Sequence, residues 1–150
     1  MRVNEVMARP AVIATEDASV EDIAKIIMEG EVGCIPITDA SGCLCGIVTM
    51  SDFAPRVEGE GRPSFRAGPL FNTWLADGSA AAWFAENRGR RAREIMSAPV
   101  VSVEEDSDVQ VAVNLMAAHG LYRLPVVKDG KPVGVVSQRD LLRVMLGAQR

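Results

Sequence analysis

The stretch GIVTMSD, residues 46–52, returns as GVVSQRD at residues 134–140, and this recurrence is the main indication of the fold. The similarity extends upstream in the same order: EVMARP, residues 5–10, matches EIMSAP, residues 94–99. Between these blocks, CIPI at residues 34–37 matches RLPV at residues 123–126. Self-similarity over several ordered blocks is typical of a duplicated structural unit. We therefore predict two copies of one unit, residues 1–53 and 94–150, with residues 54–93 inserted between them.

Each copy predicts the same order of elements: strand, helix, strand, strand, helix. Short extended segments at residues 12–14 and 100–103 lead into helices whose N-caps we expect at Ser19 and Asp108. Each helix has apolar residues at helical spacing on one face: Val20, Ile23, Ala24, Ile27 and Met28 in the first copy, and Val109, Ala112, Val113 and Met116 in the second.

Glycines and apolar runs complete the pattern of each copy. Gly30 and Gly120 are expected in the left-handed conformation just past the helices. Two hairpins follow, 35–38 with 46–49 and 124–127 with 134–137, and the Asp at 52 or 140 opens a final helix. One copy cannot cover both faces of its small sheet. We therefore expect an α+β fold in which the two copies pack about a pseudo-two-fold axis.

Composition and charge limit the classes of function. The chain has 150 residues, and 16 Lys plus Arg against 20 Asp plus Glu give a formal net charge of −4, which argues against the broad basic field of a nucleic-acid binder. No signal-peptide run and no apolar stretch near about 20 residues is present, so we expect a cytoplasmic protein without a membrane span. Cys34, Cys43 and Cys45 suit free thiols, and a single His119 argues against a His-rich metal site.

The inserted segment has its own composition. Residues 56–68 are rich in Gly, Arg and Pro and predict a loop. Residues 70–87 look partly helical and hold both tryptophans. One group in this segment consists of Phe71, Trp74 and Leu75, and a second group consists of Trp83 and Phe84. These aromatics either attach the insertion to the body or to a subunit interface, or form a lid or a docking surface. The basic run Arg88, Arg90, Arg91 and Arg93 is either a solvated face or a site for phosphate or a partner.

A hydroxyl and a carboxylate recur together after the second hairpin strand, as Thr49 with Asp52 and as Ser137 with Asp140. A carboxylate at this point can accept hydrogen bonds from two neighbouring hydroxyls, which is what the 2′ and 3′ hydroxyls of a ribose offer. The same residues could instead be helix caps only. Duplication does not decide between the two, because it repeats a cap as well as a site.

The repeated series of VMxxP, a helix, a strand with a proline between apolar residues, and a Gly-apolar-apolar-(Thr/Ser)-x-x-Asp turn resembles a tandem pair of cystathionine-β-synthase (CBS) domains, the Bateman module. The resemblance covers residues 5–53 and 94–146, and stand-alone bacterial pairs often carry a Trp-containing helical excursion at this place. It implies regulatory binding of an adenine nucleotide, foremost AMP, ADP or ATP, or of an adenosine derivative, without catalytic residues or a cofactor. It also implies a homodimer in which four repeats form a flat disc.

The clefts implied by the resemblance are composite, with ribose-binding residues from one copy and adenine-contacting backbone from the other. One cleft would use Thr49, Ser51 and Asp52 with Val100, Val101, Leu121, Tyr122 and Arg123. The other would use Ser137, Arg139 and Asp140 with Ala11, Val12, Val32, Gly33 and Cys34. Arg123 is matched by Cys34, and Arg139 by Ser51, so the clefts place their phosphate donors differently. We therefore expect at most one cleft to bind tightly.

Besides a ligand-binding sensor, three other classes of protein are possible for this sequence. An enzyme needs a nucleophile, a base and a stabilising donor in one cleft, and no such set can be assigned. A DNA-binding protein needs a basic recognition face, and no predicted helix has one. A structural dimerisation module would satisfy Asp52 and Asp140 with local backbone, whereas a binder needs one of them to face an open cleft. We expect a non-catalytic sensor whose output passes to an unidentified partner protein or through the insertion.

Overall fold

Each copy of the repeat forms its own three-stranded sheet, as predicted. The computed structural model describes residues 1–30, 32–53 and 78–147. In each sheet a short first strand pairs in parallel with the middle strand, and the middle strand pairs antiparallel with the third. The strands are β1 (Ala14–Thr15), β2 (Cys34–Thr38), β3 (Leu44–Thr49), β4 (Val103–Glu104), β5 (Arg123–Lys128) and β6 (Lys131–Ser137).

Helices cover these sheets and connect them. In the described part of the chain they are α1 (Val20–Gly30), α2 (Ser79–Asn87), α3 (Ala92–Ile95), α4 (Val109–His119) and α5 (Gln138–Met145), with 3-10 turns at Val3–Glu5 and Met50–Phe53. The predicted caps are confirmed: Ser19 Oγ accepts from the Asp22 N–H at 3.1 Å, and Asp108 Oδ1 accepts from the Gln110 N–H at 2.8 Å. Gly120 ends α4 in the left-handed conformation, with φ of 65°.

Three details of the predicted helices are wrong. Gly30 is the last residue of α1 and does not take the left-handed conformation. Met28 and Val113, which the helical spacing places on the apolar faces, are 77% and 38% exposed. Each helix rests on a single small sheet, so a stripe narrower than the one we predicted is buried, represented in α1 by Val20, Ile23 and Ile27.

The final helices of the two copies differ in the described residues. In the second copy α5 begins at Gln138, two residues before the predicted Asp140. In the first copy a 3-10 turn, Met50–Phe53, stands at the matching place. Two predictions for the insertion lie outside the described residues: the loop at 56–68 and the group of Phe71, Trp74 and Leu75. The predicted helical character of the insertion is confirmed for Ser79–Asn87.

The two copies exchange their first segments. Ala8 pairs with Val135 of the second copy through two backbone hydrogen bonds of 2.9 and 3.1 Å. Ser97 pairs in the same way with Ile47 of the first copy, at 2.9 and 3.1 Å. Ala11 N–H donates to Val133 O of the second copy at 3.2 Å. The first strand of copy one therefore begins only at Ala14, later than the predicted residues 12–14. The matched contacts obey the expected pseudo-two-fold relation.

The exchange divides the hydrophobic interior into two crossed cores. Val3, Val6 and Met7 from the start of the chain pack with buried residues of the second copy, and Ala92 and Ile95 pack with those of the first. The division of the chain at residues 53 and 94 stays a prediction about homologous units, because segments on either side of it pack together. None of the described helices is long and apolar enough to span a membrane.

Close packing of the exchanged segments requires glycine on the third strand of each sheet. A Cβ at Gly134 would lie 2.7 Å from both the Ala8 carbonyl oxygen and the Met7 sulfur. A Cβ at the matching Gly46 would lie 2.8 Å from Met96 Cγ. The glycine at the start of each repeated motif therefore allows the exchanged first segment to lie close against the third strand.

Candidate functional site

The first hydroxyl and carboxylate pair closes the turn that follows β3. The Thr49 N–H donates to Asp52 Oδ2 at 2.8 Å, and both residues are buried. Sheet pairing sets Thr49 opposite Cys34, so two of the predicted site residues lie side by side at the start of β2. The Ser51 backbone belongs to the same 3-10 turn.

The second pair forms a reciprocal cap at the start of α5. Both the N–H and the hydroxyl of Ser137 donate to Asp140 Oδ2 at 2.9 Å, and the Asp140 N–H donates back to Ser137 Oγ at 3.2 Å. Arg143 Nη1 lies 3.4 Å from Asp140 Oδ1. Ser137 is opposite Arg123 in the sheet, as Thr49 is opposite Cys34. Both carboxylates thus serve as local caps, and contact of either with a ribose stays a prediction.

Arg123 crosses from the second copy to the first. A Cβ at Gly33 would lie 2.6 Å from Arg123 Cζ and 2.8 Å from its Nη2, so the guanidinium fills the space above the Gly33 backbone. Burial raises the pKa of the neighbouring Cys34 thiol to about 11, and the positive charge of Arg123 acts in the opposite direction. The starts of β2 and β5 therefore meet at the seam between the copies.

The remaining predicted residues differ in their exposure. The carbonyls of Leu121 and Tyr122 accept from Gln138, from its side chain at 3.2 Å and its backbone N–H at 2.9 Å, so both bond within their own copy. Ala11, Val32, Val100 and Val101 are half-buried, whereas Val12, Tyr122 and Arg139 are exposed. Their membership of a cleft stays a prediction.

Sequence reasoning missed that Arg123 lies over Gly33. The signal was present, because the repeat alignment sets Gly33 against Tyr122 and Cys34 against Arg123. A missing side chain in one copy beside an added arginine in the other favours a contact across the axis between them. The sequence alone does not show that the starts of β2 and β5 face each other, because this depends on how the two copies pack.

The basic run before the second copy is held by the first copy. Arg88 Nη2 lies 2.6 Å from Glu21 Oε1, and this contact lowers the pKa of the Glu21 carboxyl. Arg93 forms an ion pair with Asp17, and Arg91 Nη1 donates to the Asp17 carbonyl at 3.0 Å. These contacts give the run a structural role at the junction of the insertion and the second copy.

The cysteines are free thiols in the structure, as expected. Cys45 Sγ lies 3.8 Å from Glu16 Oε2, and burial together with the negative charge of Glu16 raises the Cys45 pKa. Across residues 1–30, 32–53 and 78–147, no three His, Cys, Asp or Glu side chains are grouped so that they could hold a metal ion.

Solved structures of CBS domains share this fold over nearly the whole chain. The CBS domain of a CBS domain-containing membrane protein from Sphaerobacter thermophilus is 32% identical, with a TM-score of 0.71 over 95% of this chain and 86% of that one. The CBS domain pair of protein MJ0100, solved with 5′-methylthioadenosine and S-adenosyl-L-methionine, is 24% identical, with a TM-score of 0.69 and coverage of 98% and 97%. CBSX2, solved with AMP, is 20% identical, with a TM-score of 0.69 and coverage of 97% and 96%.

Sequence relatives are longer than this chain. An uncharacterized protein of Methanopyrus kandleri is 31% identical over 143 residues, which are 95% of this chain and 61% of the relative. An uncharacterized protein of Thermofilum pendens is 32% identical over 142 residues, and the chain spans 43% of it.

The family model of the CBS domain matches twice, at residues 3–59 and 92–147. These two matches cover nearly all of both copies of the repeat and include both hydroxyl and carboxylate turns. The chain therefore belongs to the CBS domain family and contains two CBS domains in tandem.

Proposed function

We propose that this CBS pair is a regulatory module that binds an adenine nucleotide or another adenosine derivative at the seam between its two domains. The observation that carries the proposal is the position of Arg123, whose guanidinium lies over Gly33 of the other domain and beside the strand end that bears Thr49. Arginine is the side chain best suited to a phosphate, because its planar fork donates two parallel hydrogen bonds.

The first cleft, with Thr49, Asp52 and Arg123, is the stronger candidate for a phosphorylated ligand. Cys34 stands where the second cleft would need the equivalent of Arg123, and its thiol, whose pKa burial raises from 9.0 to about 11, carries no charge at neutral pH. A neutral thiol cannot replace a guanidinium as a phosphate partner. We therefore expect AMP, ADP or ATP in the first cleft and weaker or no nucleotide binding in the second.

The ligands of similar proteins support the chemical class. The CBS pair of protein MJ0100 was solved with two adenosine derivatives, and CBSX2 was solved with AMP. These ligands share the adenosine moiety and differ in the group at its 5′ end. For this chain the class is a proposal, and Arg123 favours the members that carry a phosphate.

Isothermal titration calorimetry tests the proposal. The protein is titrated with AMP, ADP, ATP, NAD and S-adenosylmethionine, and the titration is repeated on Asp52→Ala and Asp140→Ala. We expect saturable binding of a phosphorylated ligand that is lost in Asp52→Ala and kept in Asp140→Ala. Arg123→Gln should weaken that ligand about tenfold or more, the loss of a charge-assisted hydrogen bond, whereas the matched variant Arg139→Gln should leave it unchanged. Absence of heat with all five ligands would overturn the proposal.

A structural module without a ligand is the second candidate, and one observation favours it. The carboxylates of Asp52 and Asp140 both accept from backbone N–H groups of their own turns. In this alternative the two turns are caps, and the chain acts by joining subunits. The calorimetric experiment separates the two functions, because only the sensor gives saturable heat that depends on Asp52.

We further propose that the module is non-catalytic, that it forms a homodimer, and that a separate partner protein detects its ligand-bound state. The last described helix and its C-cap residue leave apolar side chains exposed: Leu142 is 54%, Met145 82% and Leu146 75% exposed. Exposed apolar residues grouped on one short helix suit an interface between subunits. A second copy of the chain is the occupant we propose for this surface.

Light scattering after size-exclusion chromatography tests the dimer. We expect twice the chain mass of 16.1 kDa for the unmodified protein. Met145→Glu should shift the protein toward the monomer, since it places a charge in an apolar interface. Arg139→Glu, on the same helix and also exposed, is the matched control and should remain a dimer. A monomeric unmodified protein at tens of micromolar would contradict the proposal.

A further inference from the structure

The helix of the insertion packs on the residue that directly follows the Thr49 to Asp52 turn. That residue, Phe53, is only 8% exposed. Its ring centroid lies 6.4 Å from that of Trp83 in an edge-to-face arrangement, and 6.5 Å from that of Phe84. Both partners belong to α2, so the insertion touches the candidate site through one aromatic cluster.

The C-terminal end of α2 is fixed to the first domain. The carbonyls of Arg88 and Arg90 accept hydrogen bonds from the first N–H groups of α1, those of Glu21 at 3.1 Å and Val20 at 2.8 Å. The Arg88 side chain lies over the Phe84 ring at 5.8 Å and pairs with Glu21. A displacement of Phe53 therefore acts on the middle of a helix whose C-terminal end is held to the first domain.

The second domain is built differently at the matching position. Leu141 stands there, is also 8% exposed, and continues within α5 of its own domain. It packs in the core that includes Val3, Val6 and Met7. The two turns are alike in sequence, but among the described residues the ring contacts with α2 are made beside the first turn.

We propose that α2 is the output element of the first cleft, coupled to the Thr49 to Asp52 turn through Phe53, and that the second cleft has no such coupling to α2. The part that concerns a ligand rests on the proposed function. A ligand held by this turn would fix Asp52 in one position and so select one position of Phe53 and of α2. The side of α2 turned away from Phe53 is then where a partner would detect occupancy.

A quenching experiment without ligand tests the coupling itself. Trp74→Phe leaves Trp83 as the only tryptophan, because the chain has two. In this background Asp52→Ala removes the acceptor of the 2.8 Å bond from Thr49 N–H, which should loosen the turn and expose Trp83. We expect a roughly twofold rise in acrylamide quenching for Asp52→Ala and no change for Asp140→Ala, the matched variant, as expected when only a local unit opens.

The outcomes of this comparison are decisive in either direction. Equal quenching in the two variants, or no change in either, would overturn the coupling. Circular dichroism confirms that each variant is folded, and Asp52→Asn, which weakens the same bond and keeps the side-chain volume, replaces Asp52→Ala where the alanine variant is unfolded.

A second experiment adds the ligand and separates the two proposals. In the Trp74→Phe background, AMP should change Trp83 fluorescence at the same concentrations at which calorimetry records heat. Phe53→Leu introduces the residue that the second domain has at this position, and it should keep the heat while losing the fluorescence change. Heat without any fluorescence change in the unmodified Phe53 protein overturns the coupling. Absence of heat refutes nucleotide binding, and the ligand-free quenching comparison then decides the coupling alone.

Discussion

A missing side chain at residue 33 determines what Arg123 can touch. A Cβ there would lie 2.6 to 2.9 Å from three atoms of the guanidinium, which are its three nearest neighbours. The guanidinium is the end of a flexible side chain, so it can turn away at small cost. The interaction at this point therefore concerns function more than stability.

Gly33→Ala should weaken binding without unfolding the protein. We expect a loss of less than about 1 kcal/mol in the free energy of unfolding and about tenfold weaker binding of a phosphorylated ligand, since a charge-assisted contact is displaced. Thermal unfolding and calorimetry on the same samples measure both. Gly89→Ala is the control, because a Cβ at Gly89 would meet nothing within 4 Å. Unchanged affinity in Gly33→Ala would contradict the assignment of Arg123.

The buried Cys34 thiol predicts a loss of stability at alkaline pH. Burial raises its pKa from 9.0 to about 11, so between these values the folded protein binds more protons than the unfolded chain. The contribution is complete below pH 9 and is lost as the pH rises through 11, up to about 3 kcal/mol at the extreme. Urea unfolding of the unmodified protein and of Cys34→Ala between pH 8 and about 10.5 isolates the effect, since all other groups titrate in both. Parallel curves for the two proteins would show that Cys34 does not titrate in this way.

Among the secondary-structure elements, the sequence pattern predicted the helices and hairpins, which depend on neighbouring residues. It did not predict which of the two sheets each first segment joins. The helices α1 and α4 and both hairpins follow from apolar spacing, turn residues and caps, all of which act within a few residues. The exchange of first segments could not be predicted, because EVMARP and EIMSAP are nearly alike and fit either sheet. Only chain connectivity and packing in three dimensions assign each segment to the other copy.

The exchanged contact predicts that Gly134 is much less tolerant than Gly33. A Cβ at Gly134 would lie 2.7 Å from the carbonyl oxygen of Ala8, which accepts the hydrogen bond from Val135 N–H. Backbone cannot rotate away as a side chain can, so Gly134→Ala should lower the free energy of unfolding by about 1 to 3 kcal/mol. Chemical denaturation of Gly134→Ala and Gly33→Ala, side by side, measures the difference. Equal stability of the two variants would mean that the first segment is not bound to β6 as described.

At the scale of the whole molecule, the crossed cores make each domain depend on a segment that belongs to the other by sequence. Val3 is completely buried, and Val6 and Met7 are 7% and 5% exposed, all within the core of the second domain. Ala92 and Ile95 do the same for the first domain. Neither repeat has a complete core of its own, so the stability of one domain is linked to that of the other.

This linkage predicts that the chain unfolds in one cooperative transition. Trp83 fluorescence, in the Trp74→Phe background, reports on the first domain, and far-UV circular dichroism of the same protein reports on the helices of both. The two urea transitions should coincide. Val6→Ala lies in the first copy by sequence but removes buried methyl groups from the second domain's core, at a cost of about 1 to 3 kcal/mol. Because the cores are crossed, it should move both transitions equally, whereas a shift of the circular-dichroism transition without an equal shift of the Trp83 transition would show two domains that unfold independently in spite of their exchanged segments.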